Sequence, residues 1–215
     1  MRSYRQYCGL AKALDLVGDR WTLLIVRELL ILGPSRYTDL QHGLPGIATN
    51  LLAARLRELE VAGIVARDEA PPPAPATLFR LTERGRQLEP SLAALGAWAG
   101  PMMTECAPGD EVRSHWLALP VRFYLTDTKP SRPPIAIEVR TGDQAMLIEA
   151  AGGEVTARRG TLAHPNAVIS GPPQLILGLL TRRLSLAAAR ARGLSFQGER
   201  DVLRRIGPRD RAPVT

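Results

Sequence analysis

The stretch that decides the fold lies between Tyr37 and Ala62 and reads YTDLQHGLPGIATNLLAARLRELEVA. Its first residues predict a short helix closed by Gly43, and the Leu-Pro-Gly sequence at 44–46 predicts a tight turn. From Thr49 onward the apolar residues recur at helical spacing, so a second, amphipathic helix is expected to run to Ala62. A short helix, a tight turn and a second helix together form the pattern of a helix-turn-helix motif.

The second predicted helix has one apolar stripe and one stripe of small or polar residues, at about 100° of rotation per residue. The apolar stripe consists of Leu52, Leu56 and Leu59. The opposite stripe consists of Asn50, Ala54 and Arg57. Small residues let a helix approach the floor of the DNA major groove, where Asn pairs with adenine and Arg with guanine. On this helix alone, a base-reading surface and an ordinary solvated surface are equally good interpretations.

Two strand-like runs follow at 64–68 and 77–81, and a proline-rich segment joins them. A β-hairpin directly after a recognition helix is the wing of a winged helix. The segment 68–76 at its tip contains Asp68 and Glu69 but no Arg or Lys, and carboxylates are unfavourable beside phosphates. We therefore expect the wing to contribute little to DNA binding, with Arg67 and Arg80 on the strands left as candidate backbone contacts.

A further apolar seam is predicted on a helix that begins near Glu83. Its members recur with spacings of four, three, four and three: Leu88, Leu92, Leu95, Ala99 and Met102. The seam could pack within one subunit or against the same helix of a second copy. We favour a dimer, because palindromic DNA half-sites require two recognition helices.

The helices upstream of this motif complete the predicted N-terminal domain. An apolar stripe formed by Ala11, Leu14 and Val17 predicts a helix that stops at Gly18. Residues 21–30 are apolar nearly all round, which predicts a buried central helix. The Gly-Pro sequence at 33–34 is expected to end it.

The first half of the chain resembles the HxlR-type winged helix-turn-helix transcriptional regulators from Cys8 to about Trp98. The landmarks in this sequence are ALD at 13–15, GDRWTLLI at 18–25, RELL at 27–30, GP at 33–34, RYTDL at 36–40, LPGI at 44–47, RLREL at 55–59 and LTERG at 81–85. The resemblance implies a homodimeric, sequence-specific DNA-binding regulator, often a repressor.

The resemblance also implies which residues meet DNA. The recognition surface would consist of Thr49, Asn50, Ala53, Ala54 and Arg57. Arg36 and Thr38 would lie near the DNA backbone. Arg55, on the flank of the leucine stripe, could bind a phosphate or pair with a neighbouring carboxylate, and both roles remain open.

Cys8 stands where this family places a cysteine that some members use to sense oxidants or electrophiles. Its position near a helix N-terminus, with Lys12 four residues on, would favour the thiolate. The alternative is a small, half-buried residue at a dimer interface. Gly9 departs from the Pro that many relatives have there.

The chain is expected to divide at the Ala-Pro-Gly-Asp sequence at 107–110 into an N-terminal domain, 1–106, and a C-terminal domain, 107–215. The second half predicts strands at 121–126, 135–140, 145–150, 155–159 and 166–171, with glycine turns at 142–143 and 152–153. A leucine-rich helix is predicted after Pro172, and Ser185 is predicted to cap another that ends at Gly193. The expected fold class is therefore α+β.

This second half is similar to the sterol carrier protein type 2-like fold. The stretches that carry the similarity are AVISG at 167–171 with LILGLL at 175–180, and GLSFQGE at 193–199 with Val202-Leu203. The similarity implies a pocket for an apolar or amphipathic small-molecule effector, or else a dimerisation module. Eight arginines here could bind DNA or an anionic ligand, or could simply be solvated: Arg158, Arg159, Arg182, Arg183, Arg190, Arg192, Arg204 and Arg205.

Composition sets limits on other functions. The net charge of +7 belongs mostly to the second half, since residues 1–106 hold 12 basic and 11 acidic residues and residues 107–215 hold 16 and 10. Basicity alone therefore does not identify the DNA-binding half. The two cysteines fit a reducing cytoplasm, and no apolar run approaches the ~20 residues that span a membrane.

No catalytic residue, metal-ligand spacing or cofactor motif is apparent, so no enzyme activity is expected. The sequence predicts a cytoplasmic homodimeric regulator that binds an operator in double-stranded DNA. The alternative is a carrier of lipid-like molecules that uses the winged helix only to dimerise.

Overall fold

The computed structural model describes residues 3–69, 76–103, 106–107, 109–142 and 144–209. The chain divides into two compact units, Met1–Leu95 and Gly96–Thr215. The division precedes the boundary that the sequence placed after Cys106. Each unit is described by itself.

The first unit contains a winged helix-turn-helix fold. Its elements are α1 (Gly9–Val17), α2 (Thr22–Leu32), β1 (Ser35–Arg36), α3 (Tyr37–Gly43), α4 (Thr49–Val61), β2 (Val65–Glu69), β3 (Thr77–Leu81), α5 (Glu83–Arg86) and the beginning of α6 (Glu89–Ala99). The three strands form one antiparallel sheet in the order β1-β3-β2. The strand β1 has only two residues, so sequence periodicity could not predict it. Its Ser35 pairs with Phe79 of β3.

Helix α2 lies at the centre of the first unit, as its nearly continuous apolar sequence predicts. Ile25 and Val26 are completely buried. They belong to the same core as the α4 leucines Leu52, Leu56 and Leu59. Burial of the α4 stripe confirms that this helix is amphipathic, with its leucines turned inward.

The predicted helix from Glu83 is interrupted, and this is a correction. Residues 83–86 form α5, which Thr82 caps by accepting a hydrogen bond from the Gly85 amide at 3.1 Å, and α6 starts at Glu89. Pro90 explains the break, because a proline has no amide hydrogen and its ring clashes with the carbonyl four residues earlier.

The break divides the predicted seam between two environments. Leu88 and Leu92 pack against the core of the first unit. Leu95 and Met102 are exposed, and Ala99 is partly exposed. The first two leucines therefore stabilise their own domain, and Leu95, Ala99 and Met102 lie outside that core.

The second unit is an α+β domain. After a 3-10 turn at Gly100–Met102 and another at Ser114–Leu117 it contains α7 (Ala118–Tyr124), β4 (Leu125–Asp127), β5 (Ile135–Thr141), β6 (Gln144–Ala151), β7 (Glu154–Arg159), β8 (Ala167–Ser170), α8 (Pro173–Leu180), α9 (Leu186–Ala191), β9 (Ser195–Gly198), α10 (Arg200–Arg205) and β10 (Ile206–Pro208).

Its main sheet has five strands in the order β7-β6-β5-β8-β9. Strands β5, β6 and β7 form an antiparallel meander, β8 runs parallel to β5, and β9 returns antiparallel to β8. The Gly152-Gly153 turn has positive φ at both residues, 58° and 93°, as a two-residue hairpin connection requires. Strands β4 and β10 form a separate pair.

The predicted strand at 121–126 is wrong for most of its length. Residues up to Tyr124 belong to α7, and only Leu125–Asp127 is extended. Ala118, Val121 and Leu125 are buried at spacings of three and four, which is the helical period. The short alternation around Phe123 fits both the strand period of two and the helical period of 3.6. The segment forms a helix because the helical spacing buries Ala118, Val121 and Leu125.

No helix in the described ranges is long and apolar enough to cross a membrane.

Candidate DNA-binding surface

The outer face of α4 is the candidate DNA-reading surface. Asn50 and Arg57 are exposed there, whereas Ala53 and Ala54 are partly covered. Because the leucines of the same helix are buried, the helix cannot rotate to hide this face. The residues that the sequence assigned to base reading thus lie on one side of a rigidly packed helix.

Helix α4 is fastened to α3 at its first residue, Thr49. The Tyr37 hydroxyl donates to the Thr49 carbonyl at 2.5 Å, and Gln41 Nε2 donates to the Thr49 hydroxyl oxygen at 2.9 Å. Sequence reasoning missed Tyr37 and Gln41. Their signal was their spacing of four on α3, which places two polar side chains on one face beside the buried Leu40.

Arg57 and Asn50 retain groups that can bind a base. The Arg57 guanidinium has no ion pair or hydrogen bond to any part of the chain that the structure describes. The Asn50 side-chain oxygen accepts from the Leu51 amide at 2.9 Å, and its amide nitrogen has no partner among the described residues. An unpaired guanidinium on an exposed helix face can form two parallel hydrogen bonds to guanine.

Arg55 differs from Arg57, although only two residues separate them. Its guanidinium pairs with both Asp19 and Glu58. Of the two roles left open by the sequence, the structure contains the carboxylate pair, which joins α4 to the residues before α2. A phosphate contact by Arg55 stays a prediction.

Arg36 and Thr38 are both exposed at the start of α3. The Asp39 carboxylate accepts a hydrogen bond from the Arg36 amide at 3.1 Å and so caps this helix. Among the described residues, the Arg36 guanidinium has no carboxylate within ion-pair distance. A helix start with an exposed cation suits a phosphate group.

The cations on the wing strands are paired within the wing itself. Arg67 lies 2.7 Å from Glu60 and also stacks over the Phe79 ring, with 5.3 Å to its centroid. Arg80 pairs with Asp68 across the hairpin. The remainder of the wing tip, 70–75, falls outside the described residues. These pairs reduce the positive charge that the wing strands offer to DNA.

A buried ion pair anchors α2 to α3. Glu28 is fully buried, and its carboxylate lies 2.7 Å from Arg27, whose guanidinium also donates to the Gly43 carbonyl at 3.4 Å. Burial lowers the pKa of Arg27, while the Glu28 charge opposes that change. A Cβ at Gly43 would lie 2.0 Å from Glu28 Oε2, so a larger residue where α3 ends would displace the Glu28 carboxylate.

Both cysteines are free and exposed. Cys8 is the residue before α1, and its carbonyl accepts from the Lys12 amide at 2.9 Å. Thiol-based sensing by Cys8 stays a prediction. Within the described residues, no three His, Cys, Asp or Glu side chains are placed to hold a metal ion.

A helix-turn-helix whose second helix exposes Asn and Arg, followed directly by a β-hairpin, defines the winged helix-turn-helix class of DNA-binding proteins. Comparison with known proteins agrees. The family model described as HxlR-like helix-turn-helix matches residues 16–106. This chain belongs to the HxlR-like family and is a DNA-binding transcriptional regulator.

Three relatives illustrate the family. A helix-turn-helix-type transcriptional regulator of Synechocystis sp. is 38% identical over 104 residues, which cover 46% of this chain and 76% of that protein. The regulator YodB of Bacillus subtilis is 37% identical over 46% of this chain and 86% of its own length. A Mycobacterium bovis regulator is 33% identical over 157 residues, which cover 71% of this chain and 83% of that protein.

The chain is also similar to solved structures. The reduced form of YodB from B. subtilis has 35% sequence identity and a TM-score of 0.40, covering 49% of this chain and 100% of that chain.

Proposed function

We propose that this protein is a homodimeric transcriptional repressor whose α4 enters the major groove of its operator and reads bases with Asn50 and Arg57. One observation carries the proposal: both residues are exposed, with donor groups that have no partner among the described residues, on a helix that Tyr37 and Gln41 hold in place. A fixed helix is what specific readout requires, because a donor must meet its base at hydrogen-bond distance.

The remaining residues of this surface have supporting roles. Ala53 and Ala54 are small enough for the helix backbone to come close to the groove floor. Thr49 completes the recognition surface at the start of α4. Arg36 and Thr38 lie near the DNA backbone at the start of α3, since phosphate contacts fix the register of a protein on the duplex. Arg55 contributes a phosphate contact only in addition to its two carboxylate partners.

Arg57→Ala is expected to weaken operator binding by about 1–3 kcal/mol, which corresponds to one good bidentate base contact. The measurement is a fluorescence anisotropy titration of the protein against its own promoter region at fixed salt. The matched control is Arg183→Ala, which removes an exposed arginine of the second unit and should leave specific binding intact. Equal affinities for the wild type and Arg57→Ala would show that α4 does not read the operator in this way.

The proposed dimer uses the part of the seam that does not pack into the domain core. On α6, Leu95 is 49% exposed and Trp98 is 70% exposed, one helical turn apart. Ala99 and the exposed Met102 follow them along the chain. Exposed apolar side chains of this size at helical spacing suit a second copy of the same helix, because a twofold interface is self-complementary.

Leu95→Glu is expected to convert the dimer to a monomer and thereby weaken operator binding. Light scattering after size exclusion should change from twice the chain mass of 23.4 kDa to that mass. Leu162→Glu, at another exposed leucine, is the control and should remain dimeric. A Leu95→Glu variant that still has the dimer mass would place the interface elsewhere.

For the second unit we propose a sterol carrier protein type 2-like domain that binds an apolar or amphipathic effector. Its five-stranded sheet and the apolar helix α8, with Leu175 and Ile176 buried, support this interpretation. Effector binding would act in the cytoplasm by favouring one arrangement of the two recognition helices, whose half-sites lie about 34 Å apart. Membership of a regulator family favours this role over that of a simple carrier.

A further inference from the structure

An open groove lies between the end of α8, the α9 helix and α10 in the second unit. Its volume is about 670 Å³. Pockets that hold small molecules occupy roughly 300–1,000 Å³, so the groove is large enough for a ligand of ordinary size.

The groove has an apolar floor. Leu179 is buried beneath it, and Leu184, Leu186 and Leu203 are each partly exposed to it. These four leucines come from three different helices and the turn between two of them. An aliphatic chain or flat apolar body laid on them would remove apolar surface from water on both partners.

Arginines surround this floor. The four that line the groove are Arg182, Arg190, Arg200 and Arg204. Between residues 181 and 204 the chain carries six arginines but only two carboxylates, Glu199 and Asp201. The groove therefore combines an apolar surface with an excess of positive charge.

Of the four groove arginines, Arg204 alone has a carboxylate partner in the part of the chain that the structure describes. Arg204 lies 3.6 Å from Asp201, which Lys129 also approaches at 3.8 Å. Among the described residues, no carboxylate comes within ion-pair distance of Arg182, Arg190 or Arg200. By contrast, Arg158 pairs with Glu149 on the sheet of the same unit.

Two of the groove arginines are held in position by carbonyl groups. Arg182 Nη2 donates to the Arg204 carbonyl at 3.0 Å, and Arg190 Nη2 donates to the Phe196 carbonyl at 2.9 Å. Arg182 also has a φ of 61°, which is uncommon for a residue other than glycine. A guanidinium that is already ordered loses less entropy when it binds an anion.

We propose that this groove binds a soluble amphipathic anion, whose carboxylate or phosphate head meets the arginines and whose aliphatic body lies on the leucines. The inference rests on the proposed effector role of the second unit and gives it a location and a ligand chemistry. It does not depend on how α4 reads DNA.

The test is isothermal titration calorimetry of the full chain with dodecanoate, dodecyl phosphate and 1-dodecanol, each below its aggregation concentration. Both anions should bind at least about tenfold more tightly than the neutral alcohol, as charge-assisted bonds to guanidinium groups require. Acetate should bind more weakly than dodecanoate, because it lacks the apolar body. Equal affinity for dodecanoate and dodecanol would overturn the proposal.

The matched variants are Arg200→Glu/Arg204→Glu in the groove and Arg183→Glu/Arg192→Glu at exposed positions outside it, which change the net charge equally. The groove pair should weaken dodecanoate binding by about tenfold or more, and the outer pair by less than about twofold. Equal losses of dodecanoate affinity in the two double variants would mean that net charge alone accounts for the binding, and this would overturn the proposal.

Other polyanions are distinguished in the same experiment. If the protein binds anionic phosphatidylglycerol vesicles but not free dodecanoate, the groove is a membrane contact. If it does not bind dodecanoate and the groove variant binds duplex DNA more weakly than the wild type, the groove is a DNA contact. Either result overturns the proposal. If dodecanoate binds but operator affinity does not change, the result would support the groove as an anion-binding site and contradict its role as an effector site.

Discussion

Replacing Arg205 with methionine is expected to lower the free energy of unfolding of the second unit by about 3–5 kcal/mol, the usual cost of removing one partner of a buried ion pair. Arg205 binds both oxygens of Asp127, at 2.9 and 3.0 Å, and the Asp127 side chain is completely buried. The same guanidinium donates to the carbonyls of Arg132 and Pro133. Without it, Asp127 would be left as a buried charge with only amide donors.

Urea unfolding followed by circular dichroism measures this change. Arg204→Met is the matched control, since the neighbouring Arg204 side chain is 78% exposed and pairs with Asp201 at 3.6 Å. Exposed ion pairs contribute about 0–1 kcal/mol, so this variant should unfold almost like the wild type. Similar losses in the two variants would mean that the Asp127–Arg205 pair does not hold the second unit together.

Acid pH provides a second readout of the same pair. The Arg205 hydrogen bonds, with those of the Lys129 and Gly153 amides, lower the pKa of Asp127 from 3.8 to about 2. A carboxyl with a depressed pKa stabilises the fold above its unfolded pKa, and that contribution, about 2 kcal/mol, is lost as the pH falls from about 4 towards 2. Arg205→Met should lose most of this acid dependence.

Arg27→Met is expected to have the largest effect in the first unit, about 3 kcal/mol of unfolding free energy. The variant removes the 2.7 Å ion pair of the fully buried Glu28 and the hydrogen bond to the Gly43 carbonyl. Because this contact holds α2 against the end of α3, operator affinity should fall together with the melting temperature.

Arg36→Met is the control for Arg27→Met, because Arg36 is an exposed arginine at the start of α3 and its side chain has no carboxylate partner in the described part of the chain. It should retain the melting temperature of the wild type, whatever its effect on DNA. If Arg27→Met also has the melting temperature of the wild type, other contacts stabilise the Glu28 carboxylate, and the Arg27–Glu28 pair does not hold α2 against α3.

The periodicity of apolar residues in the sequence was sufficient to predict the helix-turn-helix motif. The Leu52, Leu56 and Leu59 stripe fixes which face of α4 is buried, and therefore which face carries Asn50 and Arg57. These are local properties, because three or four residues of spacing and one turn of helix determine them. The same reasoning failed at 121–126, where a short alternation fits a strand and a helix equally well.

What the sequence by itself determined is the type of element, the apolar faces and the family to which the ordered landmarks point. What only the tertiary structure decided is which arginines are free. Arg55 pairs with Asp19, 36 residues away, as well as with Glu58, and Arg205 pairs with Asp127, 78 residues away, whereas Arg57 and Arg200 have no such distant partner among the described residues. Ion pairs depend on where distant segments meet after folding, and residue spacing along the chain carries no information about that meeting.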